Sequence, residues 1–373
     1  MGRELRVLFD HQIFKWQRFG GISRYFCYLF QNLPNHSVNY STTVLFTINE
    51  YYRKGYWGAQ NLFQRLPGFR RTLNIITKIY AILRIRAGGY DVFHPTQYSP
   101  YFLSHLGNKP FVVTIYDMID EIYADCTWAD KRASINKKLL CKKARIIIAI
   151  SQSTKNDIQK FFGIPDERII VIPLCGGAGN QQDTLCDSSI KGTLYQRYIL
   201  FVGERGKYKN FSFCVEAIAP LLVEENVQLI CSGGGGFSSY ELELFRRLEI
   251  SQRVLQIDAS DIQMHSLYKN AQFLLYPSEY EGFGLPILEA MVHGCPVICS
   301  NTSSMPEVGG DAALYFHPKN GPELFDRCRD LLTDEVKRKA LVTRGIERSK
   351  VFSVQKMASR TAMVYRMCIG NSL

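Results

Sequence analysis

Short runs in which nearly every residue is apolar recur along this chain, and the stretches between them carry apolar residues at helical spacing. A run without polar alternation reads as a strand buried on both faces, the pattern of a parallel sheet covered by helices. In the first half these runs are Leu5 to Phe9, Asn39 to Leu45, Val92 to His94, Phe111 to Ile115 and Ile146 to Ile150, and Ile170 to Pro173 closes the set. A polar, glycine-bearing stretch from Gly176 to Gly192 follows. The pattern then restarts with Tyr198 to Val202, Val227 to Ser232, Val254 to Gln256, Phe273 to Tyr276 and Val297 to Ser300. This alternation predicts an α/β fold with two parallel-sheet domains. The expected division is residues 1–178, a linker over 179–194, a second domain over 195–352, and a helix within 353–373. The apolar positions of that helix, Met357, Ala358, Ala362, Val364 and Tyr365, allow it to pack back on the first domain. Two such sheets are expected to face each other across a cleft, with ligands beyond the carboxyl ends of the strands.

At 373 residues the chain exceeds what one hydrophobic core usually serves, in keeping with two domains. No apolar stretch approaches the roughly 18 residues of a spanning helix. The N-terminus reads as a short strand without a signal-peptide core, so a cytoplasmic location is expected. Eleven cysteines are scattered from Cys27 to Cys368 without short paired spacings, and the seven histidines do not cluster with them. Free buried thiols and no bound metal are expected, since even Cys295 and Cys299 lack further ligands.

The net charge of +11 is one-sided: residues 1–175 hold 24 Lys and Arg against 12 Asp and Glu, and the remainder holds 21 against 22. The first half should therefore meet something anionic, and both nucleic acid and an anionic membrane surface qualify. No nucleic-acid motif is present. Between Arg65 and Arg86 a basic amphipathic stretch sets Arg70, Arg71, Lys78, Arg84 and Arg86 among Phe69, Leu73, Ile76, Ile79, Tyr80 and Leu83. It fits equally a helix lying on an acidic membrane and one packed on the core with its charges in water. Lys137, Lys138, Lys142, Lys143 and Arg145 form a second basic run, read as a solvated helix face.

The most informative chemistry lies between Glu281 and Glu289, where Glu-Gly-Phe-Gly-Leu-Pro-Ile-Leu-Glu joins a strand to a helix. Gly282 and Gly284 let backbone amides approach a ligand, and Pro286 suits a first helical turn. The amides and dipole of that turn favour a diphosphate, while the two carboxylates are placed to hold different hydroxyls of one ligand. Alone, the pair reads as surface glutamates; its place at the carboxyl end of a strand favours the site. After Tyr198 to Val202 come Arg205 and Lys209, cations that would stabilise charge on a departing diphosphate. Gly20 and Gly21 follow the first strand and permit close approach to a phosphate or form a plain turn. Gly233 to Gly236 lacks the spacing of a dinucleotide fingerprint and reads as a tight turn. His94, Tyr116 and Asp117 end strands of the first half and are expected to face the cleft as sugar or acceptor contacts; the competing readings are a core histidine for His94 and a helix cap for Asp117.

Together these segments resemble a family four retaining glycosyltransferase of the GT-B fold, with two Rossmann-like domains, in its bacterial surface-polysaccharide branch. The resemblance runs through Phe9-Asp10, Gly20-Gly21-Ile22-Ser23-Arg24-Tyr25, His94-Pro95-Thr96, Asp117-Met118-Ile119, Ala149-Ile150-Ser151, Val202-Gly203 with Tyr208-Lys209-Asn210, Pro277 through Met291, and Ser303 through Asp311. It implies that Glu281 contacts donor-sugar hydroxyls, Glu289 the ribose, and the amides of Gly282, Phe283, Gly284 and Leu285 the sugar and phosphate. It further implies that Arg205 and Lys209 bind the diphosphate, that Gly20 and Gly21 lie beside it, and that the loop near Asp258 to Asp261 borders the base. Many relatives carry histidine where Tyr116 stands, so that contact is absent here or supplied by His94.

The implied reaction is metal-independent transfer, with retention and without a cofactor, of a hexose or deoxyhexose to a lipid-linked oligosaccharide of O-antigen or polysaccharide synthesis. Mannose from a GDP-sugar is the first choice, with UDP- and dTDP-sugars open. A polyprenyl diphosphate acceptor would lie at the inner face of the cytoplasmic membrane and give the basic first half an anionic partner. A nucleotide-sugar epimerase of the same fold and a non-catalytic glycan- or nucleotide-sugar-binding protein are the rival readings.

Overall fold

The computed structural model describes residues 4–55, 69–176 and 197–370. The linker expected over 179–194 and the start of the basic stretch at Arg65 lie outside the described residues. The chain divides into two compact units, Met1–Leu174 with Val354–Leu373, and Cys175–Ser353.

The strands of the first unit are β1 (Leu5–Phe9), β2 (Val38–Thr42), β3 (Val92–His94), β4 (Val112–Ile115), β5 (Ile146–Ala149) and β6 (Ile169–Val171). Its helices are α1 (Gln12–Trp16), α2 (Gly21–Asn32), α3 (Glu50–Gly55), α4 (Phe69–Ala87), α5 (Ile119–Ile122), α6 (Lys131–Lys143) and α7 (Gln152–Phe162). The strands pair in parallel as β2-β1-β3 and β4-β5-β6, and a parallel bridge from Phe93 to Phe111 links the two sets. Strands β3, β4 and β5 are buried at every position, which is why they read as unbroken apolar runs. Strand β2 stops at Thr42, short of the expected Leu45, although the Thr43 amide still bonds the Phe9 carbonyl.

In the second unit the strands are β7 (Tyr198–Val202), β8 (Gln228–Ser232), β9 (Val254–Ile257), β10 (Phe273–Tyr276), β11 (Val297–Ser300) and β12 (Leu314–Phe316). The helices are α8 (Phe211–Glu224), α9 (Ser239–Arg247), α10 (Asp261–Asn270), α11 (Leu285–Val292), α12 (Met305–Gly309), α13 (Gly321–Thr333) and α14 (Glu335–Ser349). One parallel sheet runs β12-β11-β10-β7-β8-β9. From β7 the chain builds outward through β8 and β9, then returns to β10 and builds the other way. The order therefore reverses between β7 and β10, and the loops leaving these two strands flank the crevice where such sheets bind ligands. Strand β12, only three residues long, escaped the sequence pattern. Phe201, Phe211, Val215, Phe245 and Leu275 lie in the core between this sheet and its helices.

The closing helix α15 (Val354–Ile369) belongs to the first unit, where it packs against α2, β1 and β3. His94 ties it there. Its Nδ1 lies 2.7 Å from the Tyr365 hydroxyl and its Nε2 3.0 Å from Thr114 Oγ1, and the ring packs against Phe9 and Phe26. With both nitrogens occupied and the residue wholly buried, His94 is a core histidine, which corrects the expectation of a sugar or acceptor contact. The second basic run is corrected in the same way at one position. Lys138, Lys142, Lys143 and Arg145 are exposed, but Lys137 is buried, with Nζ 2.7 Å from Glu121, 3.4 Å from Asp120 and 3.7 Å from Asp117. Burial works against the Lys137 ammonium, and the three carboxylates outweigh it and hold the pKa above the usual lysine value.

Burial pushes the His94 pKa down to about 3. An unfolded histidine titrates near 6.5, so the stability that depends on neutral His94 is complete above that pH and is lost as pH falls toward the folded value. At pH 5 the loss should be about 2 kcal/mol. Urea unfolding of the His94→Gln variant at pH 7 and pH 5 should show a pH-dependent loss smaller than wild type by about that amount; an identical loss would contradict this role.

Candidate functional site

The carboxylate block sits where the topology places it, in the loop leaving β10, and Lys209 reaches it from the loop leaving β7. Lys209 Nζ lies 2.5 Å from Glu281 Oε1, and the two side chains are only 16% and 11% exposed. The ammonium also lies over the rings of Tyr208, at 5.1 Å, and Tyr276, at 5.6 Å. Burial, with Glu281 alongside, raises the Tyr276 phenol well above its ordinary pKa, so Tyr276 stays neutral beneath the pair.

The backbone of the block is braced by residues whose individual roles the sequence reading did not anticipate. Glu281 N donates to Ser303 Oγ at 2.9 Å, and Ser304 Oγ lies 2.9 Å from the Glu281 carbonyl and 2.8 Å from that of Phe283. Thr302 Oγ1 donates to the Glu279 carbonyl, and Glu279 N donates to the Tyr208 carbonyl. The available signal was the Ser303-Ser304 pair in the segment that follows β11. Phe283 is buried against Phe352 with rings nearly perpendicular, which anchors the middle of the loop. Gly284 takes φ +106°, a left-handed conformation in which a side chain is strained, and Leu285 begins α11 with Pro286 in its first turn. Among the described residues no side chain caps α11. This N-terminus therefore points amide dipole at the same loop that carries Glu281.

Glu289 lies one turn further along α11, and Oε2 accepts from the Tyr268 hydroxyl at 3.0 Å. Tyr268 stacks on His293, which in turn lies 4.3 Å from His265 between ring centroids. Burial and the neighbouring His265 push the His293 pKa down to about 4. The neighbouring α10 starts from Ser260, which caps it with Gln263 in a reciprocal capping box after the loop near Asp258.

Arg205 is the main departure from expectation. Its Nε donates to Glu241, Nη1 to the Gly233 carbonyl and Gln256, and Nη2 to the carbonyls of Gly235 and Gly236. A guanidinium has five N–H donors, and these bonds use all five, so none is left for a diphosphate in this arrangement. Gly233, Gly234 and Gly235 all have positive φ, and Arg205 pins their turn to the loop leaving β7. Glu241 completes the strut: it closes the capping box of α9 with Ser238 while accepting from Arg205. Burial raises the Glu241 carboxyl, but Ser238 and Arg205 outweigh it and hold it below the usual carboxylate range.

The remaining expected residues lie in the first unit. Gly20 is the N-cap of α2 in extended conformation, and Gly21 is its first residue. Ser23 N donates to Gln17 Oε1, which sits so close to Gly20 that a Cβ there would displace it. Tyr116 follows β4, is buried, and its hydroxyl has no hydrogen-bond partner among the described residues. Asp117 accepts from the Ile119 amide at 3.2 Å in the turn that leads into α5, whose N-cap is Met118, and also faces Lys137. Thus Glu281, Lys209 and the α11 N-terminus share one site, Arg205 supports a neighbouring loop, and His94 belongs to the core.

Two family models match the chain: Glycosyltransferase Family 4 over residues 19–175 and Glycosyl transferases group 1 over residues 190–348. The chain is 28% identical over 321 residues to an O-antigen chain mannosyltransferase B of Escherichia coli, covering 81% of this chain and 83% of that protein. It is 27% identical over 231 residues to a Campylobacter jejuni N-acetylgalactosamine-N,N'-diacetylbacillosaminyl-diphospho-undecaprenol 4-alpha-N-acetylgalactosaminyltransferase, covering 61% of each. Among solved structures, a sucrose-phosphate synthase of Thermosynechococcus elongatus superposes with a TM-score of 0.76 at 18% identity, over 99% of this chain and 100% of that one.

Replacing Arg205 by alanine leaves Glu241 without its cation and the Gly235 and Gly236 carbonyls without the Arg205 donor, while Gly233 keeps Gln256, and should cost about 3 kcal/mol of stability. Arg205→Lys keeps the charge but not the fork and should also be destabilised. Denaturant unfolding checks both; wild-type stability in the two variants would remove Arg205 from the supporting structure.

Proposed function

Because the chain belongs to the family four glycosyltransferases of the GT-B fold, we propose that it moves a hexose or deoxyhexose, with mannose the first choice, from a nucleotide diphosphate sugar to a lipid-linked oligosaccharide with retention of configuration. The observation that carries this reading is the Lys209–Glu281 pair at the switch point of the second sheet, beside the N-terminus of α11. In the proposed reaction the donor diphosphate takes Lys209 and the α11 amides as its counter-charges, and Glu281 turns to a hydroxyl of the sugar. The bond from the anomeric carbon to the diphosphate oxygen breaks. The acceptor hydroxyl oxygen bonds that carbon on the face being vacated, and its proton passes to the leaving diphosphate. We assign Glu289 to the ribose, with Tyr268 fixing its rotamer. Arg205 acts through the shape of the Gly233 to Gly236 turn rather than on the substrate. The buried Tyr116 hydroxyl, without a hydrogen-bond partner among the described residues, is assigned to a sugar or acceptor hydroxyl. No metal is required in this scheme, since the cation and amides supply the compensating charge.

Support for mannose and for a lipid-linked acceptor comes from what the E. coli and C. jejuni relatives are named for. The proposed location is the inner face of the cytoplasmic membrane, with the basic first half toward anionic lipid; no described helix is long and apolar enough to cross a membrane. The test is a panel of GDP-, UDP- and dTDP-sugars with a membrane-extracted lipid acceptor, and the anomer of the product read by NMR. Transfer from one donor with its configuration kept is expected, and Glu281→Gln should lower turnover about 100-fold or more with the fold intact. Inverted product would contradict retention, an epimer formed from donor alone would favour the epimerase, and near-normal turnover in the variant would remove Glu281 from the site.

A further inference from the structure

Helix α4 wears its larger apolar residues on the outside. With about 100° between successive residues, Leu73, Thr77, Ala81 and Ile85 fall in one stripe, and all four are buried in the first unit. Two of these four are the small residues threonine and alanine. The opposite stripe holds Ile75, Ile76, Ile79 and Leu83, and these are 60%, 44%, 53% and 60% exposed. A surface helix normally turns its bulky apolar side chains inward, so this arrangement is inverted relative to what folding of the unit alone requires. Arg71, Lys78, Arg84 and Arg86 are also exposed on α4, and the helix contains no Asp or Glu. The ring of Tyr101 lies against both His11, at the start of α1, and Lys78. Trp16, at the end of α1, is also 70% exposed.

We propose that the outer face of α4 lies on a lipid bilayer bearing anionic headgroups, with Ile75, Ile76, Ile79 and Leu83 entering the acyl boundary and the flanking Arg and Lys side chains among the phosphates. An apolar stripe bordered by cations is the pattern of an interfacial helix. A second copy of the same face would set cations against cations with no acid on either helix. A soluble polyanion would satisfy the charges but leave the apolar stripe in water. The inference gives the membrane part of the proposed function a definite surface, and it is independent of donor and acceptor chemistry.

The experiment is flotation of the full chain with vesicles of phosphatidylcholine alone and of phosphatidylcholine mixed with phosphatidylglycerol, for wild type, Ile79→Asp with Leu83→Asp, and the uncharged pair Ile79→Ser with Leu83→Ser. Circular dichroism checks that the variants are folded. Wild type should bind the anionic vesicles, less so as salt rises, and both paired variants should partition at least about tenfold more weakly. Transfer to a detergent-dispersed acceptor should be unchanged in the same variants, which separates failure of this surface from failure of the donor site. Equal wild-type binding to neutral and anionic vesicles would overturn the proposal. So would unchanged binding in both variants, or a wild-type dimer that the variants split while no form binds vesicles.

Discussion

A single ion pair organises the second unit. Lys209 and Glu281 come from loops that leave β7 and β10, the two strands between which the sheet order reverses, and their 2.5 Å contact closes the crevice at that point. Holding two charges at 16% and 11% exposure costs desolvation that one Coulomb contact only partly offsets, so the pair is weak evidence for stability. Its value is different. In the proposed reaction this buried ammonium, held by a carboxylate with neutral aromatic rings beneath it, exchanges that carboxylate for the donor diphosphate. The amides at the start of α11 favour the same anion from the other side.

Exchange of that kind needs a loop that does not collapse when the partner changes. The hydroxyls of Ser303 and Ser304 hold the backbone of Glu281 and Phe283, and the Phe283 ring is wedged against Phe352. On the β7 side, Arg205 spends its whole guanidinium on the turn after β8, on Gln256 and on Glu241. In that proposed exchange only the Lys209 and Glu281 side chains change partners, while neutral hydroxyls and one saturated arginine hold the surrounding backbone. In the first unit a comparable polar knot joins the ends of β1 and β3, where wholly buried Asp10 accepts from the amide and the hydroxyl of Thr96 and from Gln12.

What could be read from sequence follows from the range of the interactions involved. Strands buried on both faces announce themselves as apolar runs, so all but short β12 were legible, and so was the block from Glu281 to Glu289, whose glycines and proline are local signals. Lys209 was legible as a cation at a strand end, but its pairing with Glu281 was not. Arg205 shares that position and chemistry, yet its partner Glu241 sits 36 residues away, and only the folded turn consumes its donors. His94 meets Tyr365 at a separation of 271 residues, and nothing near either residue signals the bond. Lys137 looked like its exposed neighbours because the carboxylates that bury it come from the loop after β4 and from α5. In α4 the apolar periodicity was plain, but which stripe faced inward depended on the unit it packs against.

In the proposed reaction Lys209 holds a donor diphosphate in exchange for Glu281. Isothermal titration of the nucleoside diphosphates of guanosine, uridine and thymidine into wild type, Lys209→Met and Glu281→Gln tests it without any acceptor. For the nucleotide that binds wild type, Lys209→Met should weaken affinity by about 10- to 100-fold, the worth of one charge-assisted hydrogen bond. Glu281→Gln should bind it at least as tightly as wild type, because the competing carboxylate is gone. Wild-type affinity in Lys209→Met would contradict the account.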